Sequence, residues 1–117
     1  MIAIRSDTKV YIAPGVTDMR KAINGLSVLV SQVYELDPFS GAIFVFCNRT
    51  RSNLKIIYWE RNGFWLLQKR LEKGKFHWPE TEGEVSAITL RELSWLLDGL
   101  NPKTVKGHPE LAYSTIF

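Results

Sequence analysis

Eight basic residues fall between Arg49 and Lys75: Arg49, Arg51, Lys55, Arg61, Lys69, Arg70, Lys73 and Lys75. Only Glu60 and Glu72 oppose them, so this stretch carries +6 within a chain whose net charge is +3. A segment this polarised suits an anionic partner. Aromatic residues interleave with the cations at Tyr58, Trp59, Phe64 and Trp65. Cations pair with phosphates and aromatic rings stack on bases, so the combination points to nucleic acid. Other chemistry is scarce. There is no phosphate-loop motif and no nucleophile elbow. Cys47 has no partner at metal-ligand spacing, and a lone thiol in an apolar run reads as a small core residue. His77 and His108 sit in unrelated contexts. Asp18, Asp37 and Asp98 read as cap, turn and helix-end residues rather than a metal triad. No catalytic constellation can be assembled, so no enzyme, metal or cofactor is expected.

The elements that carry these residues follow from periodicity. Lys9–Ala13 reads as a strand stopped by Pro14-Gly15. Thr17 or Asp18 is placed to cap a helix. Met19, Ala22, Ile23, Leu26, Leu29, Val30 and Val33 then form a helical apolar stripe. Gly25 within it signals close packing. Asp37-Pro38-Phe39-Ser40-Gly41 is a turn. Ile43–Cys47, Leu54–Glu60 and Phe64–Leu71 read as consecutive strands, with a fourth over Glu84–Ile88. Thr89-Leu90-Arg91-Glu92 matches a capping box, and Leu93, Leu96, Leu97 and Leu100 form the stripe of a closing helix that Gly99 ends. The expected fold is α+β: an antiparallel β-meander with two amphipathic helices packed on one face. One domain is expected over 1–100, followed by an irregular tail over 101–117.

Asn62-Gly63 is a hairpin signal. As a two-residue loop it sets Lys55 opposite Arg70 and Trp59 opposite Leu66. One face then carries Lys55, Ile57, Trp59, Arg61, Phe64, Leu66, Gln68 and Arg70. A three-residue loop sets Lys55 opposite Lys69 instead. Either register puts two cations side by side, which is unfavourable without an anion between them. The expected phosphate contacts are Arg20, Lys21, Arg49, Arg51, Lys55, Lys69, Arg70, Lys73 and Lys75. Trp59 and Phe64 are the candidates for base stacking. The alternative is that the rings are core and the cations snorkel into water.

The chain has 117 residues, of which 45% are apolar and 12% aromatic, which suits a globular domain rather than a disordered one. No apolar run approaches the ~20 residues of a membrane span, and no secretory signal is recognised. The single cysteine fits a reducing compartment, so a cytoplasmic protein is expected.

Several motifs are similar to one family. They are Thr17-Asp18-Met19-Arg20-Lys21, Asp37-Pro38-Phe39-Ser40-Gly41 leading into Phe44-Val45-Phe46, and Lys55-Ile56-Ile57-Tyr58-Trp59 with Asn62-Gly63-Phe64. The longest is Lys69-Arg70-Leu71-Glu72-Lys73-Gly74-Lys75-Phe76 followed by Trp78-Pro79. Together with Leu90–Leu100 they resemble, over about residues 8–100, the second-open-reading-frame proteins of the insertion-sequence family numbered sixty-six, often called TnpB. The resemblance implies an accessory protein of bacterial transposition, encoded beside a separate catalytic transposase. It implies no cofactor. The two expected partners are the element's DNA and that transposase, the second being the whole function if the chain only docks on protein.

Overall fold

Strand β2 (Ile43–Cys47) is apolar at every position and buried at every position. A strand with both faces apolar must be covered on both sides, and this one organises the molecule. In the computed structural model, which describes residues 4–79 and 86–99, β2 is the centre of a five-stranded sheet. Its companions are β1 (Val10–Ile12), β3 (Asn53–Glu60), β4 (Gly63–Arg70) and β5 (Ser86–Ile88), in the order β4-β3-β2-β1-β5.

The α+β class expected from the sequence holds, with two corrections. The sheet is mixed rather than a pure meander: β1 pairs with β2 in parallel, and β5 joins antiparallel on the far side of β1. The helices lie on opposite faces, not on one. Helix α1 (Ile23–Val28) buries Leu26 and, beyond its end, Val30 against Phe44, Phe46 and Ile57. Helix α2 (Leu90–Leu97) buries Leu93 and Leu96 against Val10, Ile12, Ile43, Val45, Cys47, Leu54 and Ile56. Alternate residues of β2 therefore feed two separate cores. The tail expected over 101–117 lies outside the described residues.

Helix α1 begins later than its stripe suggests. Thr17 is buried and its N–H donates to the Cys47 carbonyl, so it is held to the sheet and does not cap. Gly25 keeps its expected role: a Cβ there would lie 3.2 Å from the Lys21 side chain. After Val28 the helix widens into a π-helical segment, Leu29–Val33, closed by the Tyr34 N–H on the Leu29 carbonyl at 3.1 Å. The wider turn carries Val33 off the core stripe, and it is 60% exposed. Helix α2 matches its signals closely. Thr89 Oγ1 accepts from Glu92 N–H, and Glu92 Oε1 accepts from Thr89 N–H, both at 3.0 Å. Gly99 ends it with φ 79°.

Cys47 is fully buried beneath α2, and that burial pushes its thiol up to about 11. The thiolate is the reactive form. Cys47 is therefore expected to ignore Ellman's reagent at pH 8 in the folded protein and to react promptly in denaturant.

Candidate nucleic-acid interface

The hairpin loop is Arg61-Asn62, not Asn62-Gly63. Glu60 pairs with Gly63 across it, and Arg61 itself takes the positive φ of 58°. The Asn62 N–H closes the turn on the Glu60 carbonyl at 2.6 Å. This shifts the register by two residues from the first expectation. Lys55 faces Gln68, Trp59 faces Phe64, Leu54 faces Lys69 and Asn53 faces Arg70. A two-residue shift preserves which residues share a face but replaces every cross-strand partner. No cation of the hairpin lies directly opposite another, so the crowding expected from the sequence is absent.

The individual cations have separate surroundings. Lys55 is only 8% exposed. Its Nζ donates to the carbonyls of Met19 at 2.7 Å and Lys21 at 2.8 Å. It therefore ties the segment leading into α1 to the sheet, and its ammonium is withdrawn from the expected contact surface. Lys69 projects to the other face, where its Nζ donates to the Leu97 carbonyl at 2.6 Å. A cation at the C-terminal end of α2 is well placed against the helix dipole. Arg70 Nε lies 3.0 Å from Glu72 Oε2 in an exposed ion pair. Arg20 grips Asp18 through Nε and Nη2, the latter at 2.7 Å. The Arg20 side chain and then its backbone N–H hold the Asp18 carboxyl down at about 2, so the pair stays ionised at neutral pH.

What the fold does assemble is one end of the sheet. The Thr17 N–H bonds the Cys47 carbonyl, which brings Arg20 and Lys21 beside the end of β2. The loop from Asn48 to Ser52 follows directly, carrying Arg49 and Arg51. Asn48 holds this loop: its Oδ1 accepts from Ser52 N–H and Asn53 N–H at 3.1 Å, and its Nδ2 donates to Thr50 Oγ1. The Leu71 N–H then bonds the Ser52 carbonyl and the Phe76 N–H bonds the Arg51 carbonyl, both at 2.7 Å. These two bonds lay the 71–76 segment, with Lys73 and Lys75, along the Arg49/Arg51 loop. Seven cations (Arg20, Lys21, Arg49, Arg51, Arg70, Lys73, Lys75) thus share this end with two carboxylates, Asp18 and Glu72, for a net +5. Seven of the nine expected contact residues are brought together here; Lys55 and Lys69 are not among them. The Asn48-centred loop had only a weak signal, a polar run from Asn48 to Asn53.

The two stacking candidates lie toward the opposite end. Trp59 and Phe64 meet edge-on with centroids 5.1 Å apart. Phe39 covers both, at 5.0 and 5.4 Å, and is itself 57% exposed. Its turn is fixed by Asp37 Oδ1, which accepts from the Phe39 N–H at 2.9 Å. The outer aromatic is therefore Phe39, a member of the Asp37–Gly41 turn and not one of the two stacking candidates. An aromatic in an otherwise polar turn was the available signal. Among the described residues there is no cluster of His, Cys, Asp and Glu able to hold a metal ion, and no helix long and apolar enough to cross a membrane.

Comparison with known proteins adds a second line of observation. The family model described as IS66 Orf2 like protein matches residues 8–107, seven residues into the expected tail. Two curated relatives from Sinorhizobium fredii (strain NBRC 101917 / NGR234) are similar over most of their length. Uncharacterized protein y4hO is 41% identical over 101 residues, covering 86% of this chain and 88% of the relative. Uncharacterized protein y4jC is 35% identical over 109 residues, covering 93% of each. No solved structure matches.

Proposed function

The chain belongs to the IS66 Orf2-like family, and from that premise we propose that it serves transposition by gripping the element's DNA at the basic end of its sheet. The family makes it an accessory protein of transposition, distinct from the known catalytic transposases. No catalytic step is assigned to it. The observation that carries the DNA reading is the pairing of the 48–52 and 71–76 segments by backbone hydrogen bonds, which holds Arg49, Arg51, Lys73 and Lys75 in one place. Such fixed cations neutralise phosphates without a large ordering cost.

The test is fluorescence anisotropy on the element's terminal DNA and on a scrambled duplex, across salt. If about five phosphates are neutralised, log affinity falls against log salt with a slope of about −4 to −5. A flat response removes the proposal. Equal affinity for the two duplexes assigns the contact to the backbone rather than to base edges.

A second reading is favoured by one observation, the exposed Phe39 ring over Trp59 and Phe64. An aromatic cluster away from the cations suits a protein partner, for which the element's catalytic transposase is the candidate. In that case copurification with the transposase survives nuclease treatment and the salt slope is shallow.

A further inference from the structure

The two edges of the sheet are unequal. Among the described residues, strand β5 ends one edge with three residues, whereas β4 ends the other with eight. Folded proteins guard long edges with prolines, bulges, charged side chains or very short strands, and on β4 the charges are confined to Lys69 and Arg70 at one end. Strand β4 contains no proline, and its pairing with β3 runs from Asn53↔Arg70 to Glu60↔Gly63 without a bulge.

The direction of its free hydrogen-bonding groups can be worked out. The Asn48 N–H bonds the Asn53 carbonyl, so the odd-numbered residues of β3 bond toward β2. The even-numbered ones bond toward β4, as the Leu71 N–H on the Ser52 carbonyl continues. On β4, Gly63, Trp65, Leu67 and Lys69 therefore bond inward. Phe64, Leu66, Gln68 and Arg70 turn their N–H and C=O groups outward, where no described strand meets them.

We propose that this edge pairs with the same edge of a second copy of the chain, antiparallel about a twofold axis at Leu67, to form a continuous ten-stranded sheet. Two features select this occupant. A twofold axis normal to the sheet requires residues of equal parity to pair, and the outward set has one parity, so each outward group meets an outward group. The register centred on Leu67 also sets unlike side chains together. Trp65 lies opposite the partner's Lys69, Phe64 opposite the partner's Arg70, and Leu67 opposite the partner's Leu67. No cation lies directly opposite another cation in this register, whereas a register centred on Lys69 or Arg70 would set each against its own copy. The pairing itself uses backbone groups that no phosphate contact needs, so its failure leaves the DNA reading standing, although Arg70 borders both surfaces.

Sedimentation equilibrium of the full chain at micromolar concentration tests it. The expected mass is twice the chain mass of 13.4 kDa. Gln68→Pro deletes an outward N–H and no ladder bond within the chain, so the variant is expected to remain folded and to sediment as a single chain. Leu67→Cys, mildly oxidised, is expected to give a covalent dimer, because facing residues in a non-hydrogen-bonded pair have Cα atoms about 4.5 Å apart, within disulfide reach. Cys47 is fully buried and does not compete. A single-chain mass for the unmodified protein overturns the proposal, and so does a Gln68→Pro variant that still sediments as a dimer. Cross-linking of Leu66→Cys in place of Leu67→Cys overturns the register.

Discussion

Replacing Lys55 with methionine is expected to lower the stability of the protein by about 2–4 kcal/mol without changing how its DNA affinity depends on salt. The size follows from what the ammonium does. It donates to the Met19 and Lys21 carbonyls from a site only 8% exposed. Hydrogen bonds to a charged group contribute about 1.5–3 kcal/mol each, and their loss leaves both carbonyls short of a partner. Methionine refills most of the volume, so the change removes the bonds rather than creating a cavity. In a domain of this size the loss lowers the melting temperature by about 10–15 °C. The salt slope separates this role from phosphate binding. A lost phosphate contact makes the slope shallower by about 0.9, whereas a structural lysine leaves it unchanged. Calorimetry and an anisotropy titration on the same preparation read both.

The reversed triple variant Arg49→Glu, Lys73→Glu, Lys75→Glu has the opposite signature. All three residues are exposed, and their side chains make no hydrogen bond identified among the described residues, so melting is expected to move by only a few degrees. Each phosphate contact contributes about 0.9 log unit between about 1 M and 0.1 M salt, so losing three weakens duplex binding at about 0.1 M by at least two orders of magnitude. The slope flattens to about −2. Arg61→Glu is the control. It is exposed and lies in the hairpin loop, at the other end of the sheet, and its affinity is expected to stay within about twofold of the unmodified protein if the contact surface is the 48–52 and 71–76 pair. A triple variant that binds as tightly as the unmodified chain removes this surface from consideration.

The uneven legibility of the sequence has physical causes. Local signals were sound where the structure is decided locally. The capping box at Thr89 and Glu92 formed as its spacing predicts, and Gly99 ended the helix. The sequence signals the hairpin but not its register, because Arg61 takes the left-handed conformation that composition assigns to Asn62 and Gly63. The face composition survived that error only because the slip was an even number of residues. Two amphipathic stripes do not say which face of the sheet each covers, but Ile43–Cys47 carries the signal for opposite faces: five consecutive apolar residues have no solvent side. Lys55 was unreadable as a strut, since its acceptors are backbone carbonyls more than thirty positions away. Backbone acceptors leave no trace in residue identity. The same holds for the basic end of the sheet, whose members were all named but whose assembly depends on three main-chain bonds.

The placing of β1 between β2 and β5 bears on synthesis. A nascent chain can close β2, β3 and β4 soon after Arg70 leaves the ribosome, because those strands are neighbours in sequence and in space. Val10–Ile12 must keep one side open until Ser86–Ile88 emerges, and the face of Ile43, Val45 and Cys47 stays uncovered until Leu93 and Leu96 follow. At about 5–20 residues per second that interval is on the order of seconds, long enough for a holdase to engage the bare face or for neighbouring chains on a polysome to stick. Translation pauses between the codons for Arg70 and Leu97 would lengthen this vulnerable period and lower the yield of native protein, even though nothing in the finished molecule had changed.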